Sequence, residues 1–222
     1  MESILKILQL LGSGVVASLE IFAVTLLISL PLGLLICFGR RAKNVIVRTF
    51  FRIYISIMRG TPLMLQLFVV YYAPFYLFQI KLSTFGDNYR MIAVLIGFAL
   101  NYAAYFAEIY RAGIESMPIG QYEAGKVLGY SRSQTFSVII LPQVIRRIIP
   151  TVTNEVITLV KDTSLAYTLG VIEMFTIARQ TAASMTELTP LMVAGVLYYV
   201  FNFVVAAGME KIEKKMNYYN IK

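Results

Sequence analysis

The chain has no histidine and only one cysteine among its 222 residues. Without histidine, the sequence excludes zinc sites built from Cys and His and nucleophile pairs of the Cys/His or Ser/His kind. Cys37 cannot form an intrachain disulfide, and its apolar neighbours predict a buried side chain. Acidic residues are also scarce, 12 against 20 basic ones. The sequence therefore predicts neither a metal site of this kind nor covalent catalysis through a histidine pair.

Long apolar runs dominate what is present. Hydrophobic residues make up 58% of the chain, far more than a soluble domain of this length keeps covered. A membrane-spanning helix needs roughly 20 apolar residues. The first run is too long for a signal-peptide core and lacks a cleavage site of small residues, so we expect it to remain as a helix. Five spans fit, at about 14–38, 50–79, 91–113, 143–170 and 190–209.

The basic residues are concentrated in alternate connections between these spans. They cluster at 40–52, at 126–147 and at 211–222. Positive charge marks the cytoplasmic side of a spanning protein. The sequence therefore predicts an all-α integral membrane protein, with one transmembrane domain over residues 1–222, its N-terminus outside and its C-terminus in the cytoplasm. The net charge of +8 then reflects membrane topology, and no nucleic acid partner is expected.

A polar segment at about 114–142 interrupts the apolar pattern. Three residues separate Glu123-Ala124-Gly125 from Gly129, nine separate Gly129 from Ile139, and one separates Ile139 from Leu141-Pro142. This spacing resembles the cytoplasmic "EAA" coupling loop of the permease subunits of bacterial ABC importers, with Gly125 where the family motif has alanine. The resemblance implies that the loop docks on an ATPase. Glu123 would offer charge to a basic partner, while Ala124, Gly125 and Gly129 would permit close backbone approach.

Local signals predict two short helices in this loop. Pro118 begins the first, and Gly129 follows it where a left-handed cap is expected. Ser131 and Gln134 form a capping box for the second, which we expect to stop at Leu141-Pro142.

The same loop contains an apparent phosphate-binding motif. Residues 120–126 fit GxxxxGK, but Val127 stands where a Mg²⁺-binding Ser or Thr is required, and no strand precedes the motif. We therefore expect this chain to bind no cofactor, with ATP and Mg²⁺ held by partner subunits.

A second segment with several matching positions runs from Arg59 to Gln66. Its Arg-Gly-Thr-Pro-Leu-x-x-Gln pattern resembles the polar amino-acid branch of these permeases, the histidine/glutamine/arginine/cystine type. If the span starts near residue 48, Arg59 lies roughly 16 Å deep, and a half-helix starting at Pro62 presents free N–H groups to an anionic carboxylate. Alternatively, the span starts at Pro62 and Arg59 snorkels to the cytoplasmic surface.

Two further spans carry polar side chains at helical spacing. In the third span Ala99, Ala103 and Ala107 form a packing stripe, while Asn101, Tyr105 and Glu108 lie on the opposite face. The fourth span carries ionisable residues, which are costly in a membrane and usually face an aqueous or protein-lined path. Lys161 and Asp162 could instead neutralise each other as structure. The candidate substrate-binding residues are Thr61, Pro62, Gln66, Asn101, Tyr105, Glu155, Lys161, Asp162 and Ser164.

The resemblance covers the whole chain and implies the type I ABC importer (MetI-like) fold. It implies a bacterial cytoplasmic-membrane subunit that works in a pair, identical or diverged, with two ATPase subunits and an external amino-acid-binding protein. ATP-driven alternating access would move a polar amino acid inward, and this subunit would not itself be an enzyme. The expected coupling residues are Glu123, Ala124, Gly125, Gly129, Leu141 and Pro142.

Two other classes of protein remain as alternatives. An ion-coupled secondary transporter is one, although five spans leave no even inverted repeat. An intramembrane enzyme using Glu155 and Asp162 is the other, but carboxylates seven residues apart on one helix are separated by about 10 Å, too far to share a proton.

Overall fold

The computed structural model describes residues 2–86 and 88–216. Residues 217–222, which complete the last basic cluster, lie outside this range. The described chain consists of helices and the turns between them. In order, the α-helices are α1 (Glu2–Arg40), α2 (Val45–Gly60), α3 (Leu63–Phe78), α4 (Tyr89–Glu115), α5 (Ile119–Val127), α6 (Arg132–Gln134), α7 (Leu141–Asp162), α8 (Met174–Met185) and α9 (Thr189–Met216). Two 3₁₀ helices (Leu82–Phe85 and Thr163–Leu169) and a π-helical turn (Thr135–Ile140) lie between them.

Four helical segments of the described chain are long and apolar enough to cross a membrane, and a fifth span results if α2 and α3 count as one. These two helices meet at a bend of 116°. The interruption falls where Gly60 and Pro62 predict it, because proline lacks an N–H and the residue before it avoids helical angles. Thr61 accordingly has extended backbone angles, and Pro62 precedes the first turn of α3.

Helix α4 lies at the centre of the bundle and packs along α1. Gly33 of α1 allows this approach, because a Cβ there would lie 2.8 Å from Phe106 Cβ and 3.0 Å from the Ala103 carbonyl oxygen. Ala103 and Ala107 are completely buried at the contact. The predicted packing stripe therefore serves the α1–α4 interface, as small residues do in other membrane bundles.

Helix α8, between the fourth and fifth spans, is a part of the fold for which the sequence made no prediction. Its first turn lies against α1, since the backbone of Met174 is 2.7 Å from the position of a Cβ on Gly14. Ile7, Leu11, Met174, Ala178 and Ala194 form a small core there that joins α1, α8 and α9.

Candidate functional site

The loop between α4 and α7 begins with the helix pair that the sequence predicts. Pro118 precedes α5, and Gly129 ends it in the left-handed conformation with φ of +78°. The Tyr130 N–H donates to the Gly125 carbonyl at 3.0 Å and the Gly129 N–H to Lys126 at 3.1 Å. This is the Schellman arrangement, which satisfies the last carbonyls of a helix.

The second helix starts with the predicted capping box but does not stop where it was expected to. Ser131 N–H donates to Gln134 Oε1 at 2.9 Å, and Gln134 N–H donates to Ser131 Oγ at 3.3 Å. A wider π-helical turn (Thr135–Ile140) then leads directly into α7, so the predicted stop at Leu141-Pro142 is wrong. The π-turn shifts the hydrogen-bond register, so Pro142 is accommodated in the first turn of α7.

The outer surface of this loop is both charged and apolar. Glu123 is exposed, and so are three apolar side chains of the first helix and its end, Ile119, Val127 (87%) and Leu128. Glu123 lines a cavity of about 660 Å³ that also includes Arg41 from the α1–α2 connection. Exposed apolar groups beside charges are typical of a protein-docking surface.

Gly125 lies on the inner side of the loop. A Cβ at Gly125 would lie 2.6 Å from both Cγ2 and Oγ1 of Thr135. Gly125 is buried, so the space left by its missing side chain is filled from within the chain, whereas Gly129 has open space around it. This contact joins α5 to the π-turn and gives a physical reason for glycine at the third motif position.

Gln66 and Asn101 stabilise the break between α2 and α3. Gln66 Nε2 donates to Thr61 Oγ1 at 2.8 Å, to the Met58 carbonyl at 2.9 Å and to the Thr61 carbonyl at 3.1 Å. Gln66 Oε1 accepts from Asn101 Nδ2 at 2.9 Å. Both amides are buried, and these bonds satisfy carbonyls that the interrupted helix leaves without partners.

Arg59 lies beside the charged end of α4. Its guanidinium is 4.0 Å from Glu108 and stands over the Tyr105 ring at 5.3 Å. Glu108 is seven residues before the end of α4, or about 10 Å along the helix. Arg59 therefore lies beside the half of α4 that is nearer to the loop.

A cavity of about 380 Å³ lies between α4 and α7, here called the α4–α7 cavity. Tyr105 and Glu155, two of the predicted substrate-binding residues, both line it. Its charged lining consists of two arginines and two glutamates: Arg59, Arg147, Glu108 and Glu155. Arg111 donates two hydrogen bonds to Glu108, so Glu155 is the carboxylate of this lining with the fewest partners in the described chain.

The other predicted residues of the fourth span lie away from this cavity. Tyr102 O–H donates to Asp162 Oδ2 at 2.7 Å, which joins α4 to the end of α7. Lys161 is exposed, and Ser164 Oγ donates to the Lys161 carbonyl at 2.8 Å.

The two remaining predicted residues, Thr61 and Pro62, belong to the second span and are exposed at the break between α2 and α3.

Glu173 is a buried acidic residue that the sequence did not single out. Its side chain is completely buried and caps α8 by accepting from the N–H groups of Phe175 and Thr176, each at 2.7 Å. Tyr198 of α9 donates to the same carboxylate at 3.0 Å, and Ser18 of α1 at 3.5 Å. Glu173 stands three residues before Thr176, a position typical of a residue that starts a helix. Its partners on α1 and α9 are distant in sequence, so the sequence did not reveal them.

The described chain is a bundle of apolar helices with a charged cavity between α4 and α7 and an exposed loop at one end, features that are expected of a membrane transport subunit. The sequence pattern of the binding-protein-dependent transport system inner membrane component family matches residues 29–218. The chain belongs to this family.

Individual proteins are similar to this one along nearly the whole chain. The L-cystine transport system permease protein TcyB of Bacillus subtilis is 34% identical over 212 residues, which are 95% of this chain and 88% of that protein. The crystal structure of an amino acid ABC transporter with histidines superposes with a TM-score of 0.85 at 26% identity, over 96% of this chain and 97% of that one. The inward-facing MetNI methionine ABC transporter shares the fold, with a TM-score of 0.72 at 18% identity, over 94% and 97% of the two chains.

The expected all-helical type I fold and the expected class are therefore confirmed, while the orientation of the two termini across the membrane stays a prediction. The chain is the non-catalytic permease subunit of an ABC importer, with the type I fold, in a bacterial inner membrane. Its family works with ATPase and substrate-binding partners. The intramembrane enzyme and the ion-coupled transporter are set aside by this membership.

Proposed function

We propose that this permease translocates a polar amino acid, which binds in the α4–α7 cavity on its way inward. The observation that carries the proposal is the placement of Glu155 and Arg59 in one cavity with Tyr105 between α4 and α7. Every α-amino acid has an ammonium and a carboxylate, and charge-assisted hydrogen bonds to both ends are the strong ones. A volume of about 380 Å³ lies in the range of small-molecule sites. The cystine and amino-acid transporters among the relatives support this class of cargo.

The remaining predicted residues lie outside this cavity, and we assign them supporting roles. The first turn of α3, after Thr61 and Pro62, presents free N–H groups that suit a carboxylate. Gln66 and Asn101 hold that turn in place through the bonds described above. Lys161, Asp162 and Ser164 would line the path nearer the outer end of α7.

We further propose the assembly that drives transport. Two permease subunits bind two ATPase subunits through the coupling loops, and an external binding protein delivers the amino acid. ATP and Mg²⁺ are held by the ATPases. Closure of the ATPase pair moves Glu123 and α5, and α7 follows because the π-turn joins the loop to it without a break. The permeases thereby alternate between inward-facing and outward-facing states.

The experiment compares wild type with Glu155→Gln and Glu210→Gln in the purified complex. Equilibrium dialysis measures the binding of radiolabelled glutamine, cystine, histidine and arginine, each alone. Losing a hydrogen bond to a charged group costs about 1.5–3 kcal/mol, so Glu155→Gln should weaken binding of the preferred amino acid by roughly 10- to 100-fold. Glu210, which pairs with Lys214 on α9, serves as the matched control and should bind as wild type does.

Two results would count against the cavity as the cargo site. One is unchanged binding in Glu155→Gln while the complex stays intact. The other is an equal loss in Glu210→Gln, because the effect would then not belong to the cavity.

A further inference from the structure

A second cavity with an excess of positive charge lies where α1 ends, between α2 and α4. It has a volume of about 400 Å³ and is lined by the guanidinium-bearing residues Arg40, Arg52 and Arg59 and by one carboxylate, Glu108. Arg111 already donates two hydrogen bonds to Glu108. Three arginines therefore face one carboxylate that is largely neutralised, and the cavity suits an anion.

Local packing brings these arginines together. Gly39 has no side chain, and a Cβ there would overlap the Phe51 ring, so α2 can lie directly on the end of α1. Asn44 Oδ1 caps α2 by accepting from the Ile46 N–H at 2.9 Å. The turn between the two helices is thus fixed, and Arg40 and Arg52 line one cavity from two helices.

The rest of α2 is apolar where it is exposed. Ile46 (79%), Phe50 (64%), Ile53 and Ile57 recur at helical spacing and lie on a different side of the helix from Arg48, Arg52 and Arg59. A helix with one basic and one exposed apolar stripe is typical of the interface between lipid headgroups and acyl chains. The apolar stripe would therefore contact acyl chains while the arginines lie at headgroup level.

The cavity also lies at the end of the bundle that carries the coupling loop. Arg41, adjacent to Arg40, lines the same cavity as Glu123 of the coupling loop, so the charged cavity is at the loop end. Basic pockets between membrane helices on this side bind the headgroups of anionic lipids.

We propose that this cavity binds the phosphate headgroup of an anionic phospholipid in the leaflet next to the coupling loop. Arg40 and Arg52 contact the phosphate, and the acyl chains extend from the cavity into the bilayer. Ile46, Phe50 and Ile53, on the other side of α2, hold that helix in the same leaflet. The lipid would hold the start of α2 against α1. Arg59 and Glu108 border both this cavity and the α4–α7 cavity, so Arg40 and Arg52, which line only this one, are the residues to change.

The test is native mass spectrometry of the purified complex titrated with phosphatidylglycerol or phosphatidylcholine. Each arginine near a lipid headgroup contributes enough to change the affinity about fivefold. Arg52→Gln should therefore weaken the tightest phosphatidylglycerol site about fivefold, and the Arg40→Gln/Arg52→Gln double variant about thirtyfold. Arg52→Lys should keep most of the binding. Arg48→Gln removes the same charge one turn earlier on α2, outside the cavity, and should weaken the binding by less than Arg52→Gln does.

Four outcomes would overturn the proposal. Equal binding of phosphatidylcholine would indicate ordinary annular lipid, and unchanged binding in an intact double variant would place the site elsewhere. Displacement by glycerol phosphate, which has the headgroup without chains, would indicate a free phosphate site. Displacement by glutamine, cystine, histidine or arginine would make the cavity part of the cargo path. The mass of the complex reports its assembly in the same spectrum.

Discussion

Gly14→Ala is expected to destabilise the helix bundle by about 3 kcal/mol, at the upper end of the cost of overpacking a core. A Cβ at Gly14 would lie 2.7 Å from both Cα and N of Met174 and 2.9 Å from the carbonyl carbon of Glu173. These are backbone atoms, which cannot rotate away as a side chain can. Helices α1 and α8 would have to separate.

That separation would also disturb the buried polar cluster beside it. Ser18 of α1 and Tyr198 of α9 donate to Glu173, whose carboxylate caps α8. A buried polar group that loses its hydrogen-bond partner retains the full cost of its desolvation. The lost hydrogen bonds of Glu173 would therefore add to the cost of separating α1 from α8.

Gly12→Ala supplies the control on the same helix. A Cβ at Gly12 meets nothing within 4 Å. Alanine is favoured over glycine in a helix by about 1 kcal/mol, so this variant should be as stable as wild type or slightly more stable. The measurement is the temperature at which half of the detergent-solubilised protein aggregates, followed by size-exclusion chromatography. Equal aggregation temperatures for Gly14→Ala and wild type would show that Gly14 of α1 does not lie against the backbone of Met174 in α8.

The second large effect is expected in the coupling loop. Gly125→Ala should distort the loop, because its Cβ would lie 2.6 Å from two atoms of Thr135. Overpacking of about 1–3 kcal/mol would lower the ratio of native to distorted loop by roughly 5- to 150-fold. ATPase binding and transport should fall with it.

Thr135→Ala provides a specific rescue. It removes both Cγ2 and Oγ1, and the nearest remaining atom, Thr135 Cβ, lies 3.1 Å from where a Cβ on residue 125 would be, a distance that a small shift can relieve. Co-purification of the ATPase should therefore fall in Gly125→Ala, stay near wild type in Thr135→Ala and recover in the double variant. A double variant as defective as Gly125→Ala would mean that the added methyl group at position 125 disturbs the partner surface and not the contact with Thr135.

The sequence predicted the features of this fold that depend on neighbouring residues. The left-handed cap at Gly129 and the Ser131–Gln134 capping box each involve residues within a few positions of one another. The apolar spans likewise follow from composition and length. Proline at position 62 located the break between α2 and α3 because its backbone restriction acts on adjacent residues.

Features that depend on distant contacts could not be predicted in this way. Glu173 meets Ser18, 155 residues away in sequence, and its role exists only once α1, α8 and α9 are packed. The position of Arg59 depends on the 116° bend, whose angle the residues at the break do not specify. Pro142 misled the prediction because the effect of a proline depends on the hydrogen-bond register of the preceding turn, which here is π-helical.

We expect Glu123 and its loop to couple this permease to an ATPase. The decisive experiment measures the ATPase activity of the complex in proteoliposomes, with the binding protein and single amino acids supplied. Wild type should be stimulated by one of the amino acids. Glu123→Arg should lose that stimulation and assemble poorly, while Glu210→Arg, which makes the same charge change on α9, should behave as wild type does. A chain that binds no ATPase, or equal stimulation in Glu123→Arg, would show that this loop does not couple the permease to an ATPase.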